Sequence, residues 1–558
     1  MLLSEKTKRS LSNGDVEISR KGFSNTSSFQ STDFVKEDEV DQSTFNSSFG
    51  IVLTCLGCVV GFGNIWRFPR ILATYSYDKG SLTFYIVWVF VLYLWSVPIV
   101  IVEYTMGRFT RNSIAASFHK FFGDKFAWIG GWVTTVTFFL SAYYPVIIGW
   151  CLYYSYMACF IGLPKSEMES KEIFNNFARD SYWPVLTQCI SVCMAAACIY
   201  GGITWIEKAN NILVPFLLII VMFTFGWSLT RTYAEVGIKF LFTPTWSSLK
   251  DPEMWIAAAS QNAFDTGAGI GALATFAAFM SRQRGAVRYG TIIPMLNNLV
   301  SFISSITVFS TVFSTLIQTT PTLTRLGIVR IMQQTGPGST GLTFIWFPVL
   351  FESLGVFGRI VCLLFFICLT VAGLSTTISD LEVYTMVLDD CGINHKKSVA
   401  IALIANISVG LMSALNLNIL ANQDNVWGIA LLISGILMAC LVIRYGSMKY
   451  RRYIVNDFGI DDWNLPKLWT FVITILVPLQ GVILISWWFY DMVVSDPHWY
   501  KITFESITTL CVEWILLLTI LIVINLVAIR RKWSIFPVAK TYGNNPYELD
   551  FLNSFTEL

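Results

Sequence analysis

The residues best able to do chemistry in this sequence are crowded into one stretch, Gly57-Cys58-Val59-Val60-Gly61-Phe62-Gly63-Asn64-Ile65-Trp66-Arg67-Phe68-Pro69. It interrupts an apolar run that starts near Phe49. In hydrocarbon an unpaired backbone N–H or C=O costs several kcal/mol, so irregular backbone persists only beside protein or a watery cavity. The groups freed here are suited to a substrate carboxylate and to sodium ions. A second stretch, Gln261-Asn262-Ala263-Phe264-Asp265-Thr266-Gly267-Ala268-Gly269-Ile270-Gly271, repeats the pattern with an acid and alternating glycines. Further along, Ala372, Ser375 and Thr376 stand at i, i+3 and i+4 and share one helical face. Gly57 and Val60, at i and i+3, can offer carbonyls across from them. Sodium takes several hard oxygen ligands at once, by the logic of other hard cations. Two blander readings stand beside these: glycines for close helix packing, and hydroxyls bonded back to the carbonyl four residues earlier.

The elements that must position these groups are membrane helices. Of the 558 residues, 54% are hydrophobic and 13% charged, which describes an all-α polytopic membrane protein. Apolar runs of about the 20 residues a bilayer requires fall near 48–72, 82–106, 127–160, 184–202, 208–230, 254–280, 288–318, 355–388, 397–417, 425–443, 467–490 and 502–530. That predicts twelve transmembrane helices. Helices 1 and 6 are unwound and lie five spans apart, so the chain reads as a 5+5 inverted repeat (about 48–230 and 254–443) plus two further helices (about 467–530). Residues 1–44 read as a disordered cytoplasmic tail, 45–530 as the transporter domain and 531–558 as a second cytoplasmic tail. Basic loops at 107–126, 281–290 and 444–466, with Arg530-Arg531-Lys532, place both termini in the cytoplasm of a plasma-membrane protein. No basic patch with interleaved aromatics suggests nucleic acid. The 12 cysteines fall almost entirely in apolar runs, and the three histidines are far apart.

The long first motif, Gly61 to Pro69, resembles the first-helix signature of the neurotransmitter:sodium symporters. Glu103-Tyr104-Thr105-Met106-Gly107-Arg108, Tyr143-Tyr144 with Trp150, Gly202-Ile203-Thr204-Trp205-Ile206-Glu207-Lys208 and Ala372-Gly373-Leu374-Ser375-Thr376 follow in the family's order, over about 45–530. The short 161–183 loop resembles bacterial members of the leucine-transporter type. The resemblance implies two sodium ions. One would be held by Val59, Asn64, Asp265 and Asn297, the other by Gly57, Val60, Ala372, Ser375 and Thr376. It implies a substrate carboxylate against the amides of Gly61, Phe62 and Gly63, which open a half-helix, with Tyr144 donating its hydroxyl. Phe264 would be a lid, and Leu140, Ile147, Gly267, Ile270, Thr376 and Thr377 would line the side-chain pocket. Arg67 and Asp424 match the outer gate, and Asp390 the acid of the inner gate. Relatives carrying monoamines look to have aspartate at the place of Gly61; its absence favours an amino acid.

Four departures set this chain apart. Asp265 stands where animal relatives carry Ser or Thr beside chloride, Trp88 replaces a tyrosine there, and Ser301 is retained. A fixed carboxylate there would replace chloride, whereas a protonated Asp265 in a polar cluster would not. Asp380, one turn beyond Thr376, faces a cationic substrate group or a proton, or is structural. Gln42 and Phe45 replace the family's Arg-x-x-Trp, leaving Asp390 without an arginine. The outer loop from Arg70 to Gly80 is longer and more polar than the glycine-rich family run. The expected function is a sodium-coupled, chloride-independent amino-acid symporter working by alternating access, not an enzyme, with the lipid bilayer as its other partner and homodimerisation left open. The alternatives are a carrier of a betaine, a GABA-like compound or a cationic amine or amino acid, or a non-transporting amino-acid sensor of the same fold.

Overall fold

The computed structural model describes residues 44–77, 79–333, 340 and 342–538. Of the expected tails at 1–44 and 531–558, residues 1–43 (Gln42 among them) and 539–558 lie outside the described residues, as does Asp78. Among those described, regular structure is helical throughout. Nine helices are long and apolar enough to cross a membrane, or up to eleven if two bent pairs each count as one span. Each of the twelve expected segments coincides with a helix or a helix pair. The sixth escapes a test of length because it is two short pieces, Pro252–Asp265 and Ala272–Ala277.

The first span breaks as its sequence requires. Ser48–Val59 is helical, Val60 is extended, and the chain resumes as a wide π-turn over Gly63–Arg67 that runs into Phe68–Thr74. The two halves meet at 57°. Pro69 lies at the second position of the last piece, where its missing N–H costs little. Below the break, the Glu207 carboxylate ties the start of this span to the fifth span, Ile203–Leu229. It accepts from the amide and side chain of Asn46, both at 2.9 Å, and from the amide and hydroxyl of Ser47, both at 3.2 Å. Phe45, in place of the expected tryptophan, is buried against Phe276 of the sixth span, ring centroids 6.4 Å apart.

The second break explains its glycines. Gly267, Gly269 and Gly271 have φ of +62°, +102° and +84°, a region only glycine enters without strain. A Cβ on Gly269 would also stand 2.8 Å from the Gly435 nitrogen in the tenth span, Leu417–Tyr445. The Gly269 amide is held at 2.7 Å by Glu103, whose side chain is fully buried in the second span. The loop after the seventh span (Ala286–Thr319) carries helix Arg325–Gln333, which the apolar pattern did not predict. Gln333 Nε2 donates to the Ala73 carbonyl at 3.1 Å and so fastens that loop to the second half of the first span.

Gly269→Ala combines a forbidden dihedral with a backbone clash, each of order 1–3 kcal/mol. The detergent-solubilised variant is expected to melt several degrees below the parent. An unchanged melting temperature would contradict the strain.

Candidate functional site

The break in the first span leaves amides without helical partners, and the protein supplies two of them itself. Gly61 N–H donates to Asn64 Oδ1 at 2.8 Å, and Phe62 N–H donates to the Tyr144 hydroxyl at 3.1 Å. Two of the three amides expected to be free for a carboxylate are therefore engaged, because an unpaired buried N–H costs about 1–3 kcal/mol. Tyr144 accepts with its oxygen and keeps its own proton to give. Gly61 is bare for a steric reason. A Cβ there would lie 2.7 Å from the Tyr144 hydroxyl and 3.1 Å from Thr376 Oγ1. A Cβ on Gly63 would run into Asp265 Oδ1.

Around these groups lies a cavity of about 130 Å³ between the first, third, sixth, eighth and tenth spans. Its walls include Gly61, Phe62, Gly63, Leu140, Tyr144, Ile147, Phe264, Gly267, Ile270, Thr376 and Asp380, all named from sequence. Thr377 is the exception. It is buried, and its hydroxyl bonds back to the Gly373 carbonyl at 3.0 Å. Arg67, Phe264 and Asp424 line both this cavity and a neighbouring vestibule of about 300 Å³, so they form the partition between them. Arg67 and Asp424 make no direct ion pair. The guanidinium lies over the Phe264 ring, 3.9 Å from its centroid, an arrangement favourable for a partly desolvated cation. Asp424 Oδ1 instead accepts from the Tyr143 hydroxyl at 2.9 Å. Gly428 gives Phe264 its room, since a Cβ would come 2.5 Å from the ring.

Val59, Asn64, Asp265 and Asn297 converge. Asn297 Oδ1 accepts from Asn64 Nδ2 at 2.8 Å, and the same position is 3.1 Å from the Val59 carbonyl and 3.2 Å from the Asp265 carbonyl. Oxygens brought this close without a proton between them repel, and a hard cation removes the repulsion. With the amide turned over, its NH2 would instead donate to both carbonyls. The Asn297 carboxamide can thus serve this cluster with or without a cation. The Asp265 side chain is buried beside it. Oδ2 accepts from Ser301 Oγ at 3.3 Å, and Oδ1 has no hydrogen-bond partner. Asp265 therefore faces the cluster with its backbone carbonyl and stands behind it with its carboxylate.

The second set also meets, with one addition. A Cβ on Gly57 would collide with Ser375 Oγ. Ser375 itself donates to Asn210 Oδ1 at 2.6 Å. Thr376 Oγ1 bonds back to the Ala372 carbonyl at 3.2 Å, the blander alternative for this residue. Asn210 escaped the sequence reading, although a carboxamide just inside an apolar run is the available signal. Gly61 N–H, the ordinary helical partner of the Gly57 carbonyl, is committed to Asn64, so that carbonyl is free of it. Asp390 lies apart from all this. It accepts at 2.8 Å from the amide of Ser113, the residue whose hydroxyl caps the short helix Ile114–Phe122.

The sequence profile of the sodium:neurotransmitter symporter family matches residues 42–182 and 179–535. The chain belongs to that family. It is 26% identical over 458 residues to an uncharacterised sodium-dependent transporter of Methanocaldococcus jannaschii, covering 79% of this chain and 89% of that one. It is 25% identical over 405 residues to the sodium-dependent serotonin transporter of Drosophila melanogaster, covering 64% and 61% respectively. Among solved structures, that of MhsT in complex with L-phenylalanine superposes with a TM-score of 0.67 at 26% identity, covering 80% of this chain and 99% of that one. This symporter is thus a multi-pass membrane protein and a sodium-dependent transporter of small molecules, not an enzyme.

Tyr144→Phe removes the acceptor for the Phe62 amide and the hydroxyl that this residue brings to the cavity. With a buried donor unpaired at roughly 1–3 kcal/mol, substrate affinity is expected to fall about 5- to 100-fold at saturating sodium. Radioligand binding to the purified symporter measures it, and an unchanged affinity would remove Tyr144 from the site.

Proposed function

We propose that this symporter carries an α-amino acid inward, driven by sodium, with the first-span break as the shared binding element. The observation that carries the reading is the cavity wall at Gly61 to Gly63. It has no side chain at Gly61, a tyrosine hydroxyl proton at one side and a half-helix N-terminus beyond, a surround suited to a carboxylate. An amine carrier would need an acid where Gly61 stands. The phenylalanine bound in the MhsT structure fits the same reading.

Two sodium ions are assigned to the two oxygen clusters. Val59, Asn64, Asp265 and Asn297 hold one, and Gly57, Val60, Ala372, Ser375 and Thr376 hold the other, joined at its edge by Asn210. The first lies beside the carboxylate position, because Asn64 serves both the cluster and the Gly61 amide. Sodium and substrate then raise each other's affinity reciprocally. The second joins the first span to the eighth and favours the outward-facing arrangement. Arg67 over Phe264 closes the site from outside, and Asp424 awaits the guanidinium once Phe264 settles on the substrate. At the inner end, Asp390 is held on the Ser113 amide, and the Glu207 clasp on Asn46 and Ser47 takes the part of an inner latch.

Asp265 makes the cycle independent of chloride. Its Oδ1 lacks a hydrogen-bond partner and sits against the break. An ionised carboxylate there stabilises the adjacent sodium through a medium of low dielectric.

Uptake of a radiolabelled amino-acid panel into proteoliposomes, with and without an inward sodium gradient, tests the function. Sodium-dependent accumulation of at least one amino acid is expected; uptake of amines or betaine alone would refute it. Gluconate in place of chloride is expected to leave uptake within about twofold, whereas Asp265→Asn should lower it tenfold or more, about 1.4 kcal/mol per decade. A strong fall on chloride removal would overturn the role given to Asp265.

A further inference from the structure

We infer that Asp380 selects amino acids whose side chain bears a positive charge, an inference that rests on the amino-acid reading above. Asp380 belongs to the eighth span, Gly355–Asp390, and lines the central cavity. It is 5% exposed, and its Oδ1 is buried with no hydrogen-bond partner. No ion pair reaches the residue among those described. Asp265, the other acid deep in this cavity, differs, because it is tied to Ser301 and backs a cluster of oxygens. Asp380 has no such company.

Its position along the pocket fits a side-chain reader. Thr376 Oγ1 marks the carboxylate end, 3.1 Å from where a Cβ on Gly61 would be. Asp380 lies four residues further on, about 6 Å along the same helical face at 1.5 Å per residue. Between the two ends the walls are apolar, with Leu140, Ile147, Ile270 and Leu431. An aliphatic stem of three or four methylenes crosses such a gap and brings a terminal amine or guanidinium to the acid. Among the described residues, the only fixed cation lining the cavity is Arg67, and it is stacked on Phe264 in the partition towards the vestibule. A carboxylate removed from water needs a charge partner or a proton. A cationic ligand supplies that partner directly. It also gives specificity, since a neutral analogue leaves the buried acid unpaired. The approach is consistent. The vestibule is lined, among the described residues, by Glu253, Asp424 and Asp491 against Arg67, with Arg70 close behind Arg67 and Asp424, a balance that still favours cations by one charge.

The test compares lysine with norleucine, which lacks only the terminal amine, and ornithine with norvaline. Full-length symporter in saturating sodium is assayed by ligand-induced thermal stabilisation and by competition for uptake in proteoliposomes. The basic member of each pair is expected to bind at least tenfold more tightly. Asp380→Asn and Asp380→Ile should reverse or abolish that ratio, with the isoleucine variant gaining norleucine. Norleucine equal to or better than lysine on the unmutated protein overturns the inference, and this needs no variant to fold. So does an unchanged lysine-to-norleucine ratio in Asp380→Asn, the result expected if Asp380 only carries a proton or is structural. Failure of all four to bind, or preference for the neutral member, refutes the role of Asp380 alone, whereas failure of the whole amino-acid panel to be taken up with sodium refutes the amino-acid reading itself.

Discussion

The structure depends on one constraint, the need to satisfy backbone groups freed where a membrane helix is broken. In the first span the remedy is local and economical. Asn64 turns back on the Gly61 amide, and Tyr144 reaches across from the third span to the Phe62 amide. The remedy leaves functional groups behind. Asn64 still bonds to Asn297 and Ser301, so the residue that holds the break open also touches the oxygen cluster. Tyr144 still has a proton. The sixth span answers the same need with three left-handed glycines and the buried Glu103. The two breaks face each other through Gly63 and Asp265, and the absence of a side chain at Gly63 is what allows the approach.

Charge is arranged around that pair of breaks with unusual bias. Two acids, Asp265 and Asp380, line the cavity deep inside, and Asp424 and Arg67 sit at its mouth. A buried carboxylate without a partner is unfavourable unless a ligand completes it. A transporter whose cargo includes cations supplies that completion and loses it again on release. The same acids that would weaken a static core therefore suit a cycle of binding and release. The partition between cavity and vestibule has a similar economy. Arg67 rests on Phe264 rather than on Asp424, so one stacked pair forms most of that wall.

Much of this was legible in the sequence. Helix positions followed from apolar runs of bilayer length, and both breaks from glycines set among polar groups. The cavity walls followed from the resemblance, carried residue by residue. What was not legible has physical reasons. The capture of the Gly61 and Phe62 amides depends on side-chain direction, which spacing does not encode. Asn210 lies one turn inside an apolar run, and only its packing against Ser375 gives it a role. Asp390 was matched to a gate acid by analogy, and its bond to the Ser113 amide, 277 residues away in sequence, could not be read from spacing. Glu207 stood in plain view within a motif, yet its partners, Asn46 and Ser47, are 161 and 160 residues away.

The central claim is that sodium and substrate meet at one broken helix and are coupled through it. The most direct measurement is a sodium titration of the thermal stability of the purified symporter, with and without an equimolar mixture of proteinogenic amino acids. Coupling through Asn64 and Asn297 predicts that the mixture lowers the half-saturating sodium concentration by about 5- to 150-fold, the usual range of such linkage. Sodium should raise the affinity for the active amino acid by the same factor. Two independent titrations, each indifferent to the other ligand, would contradict the account.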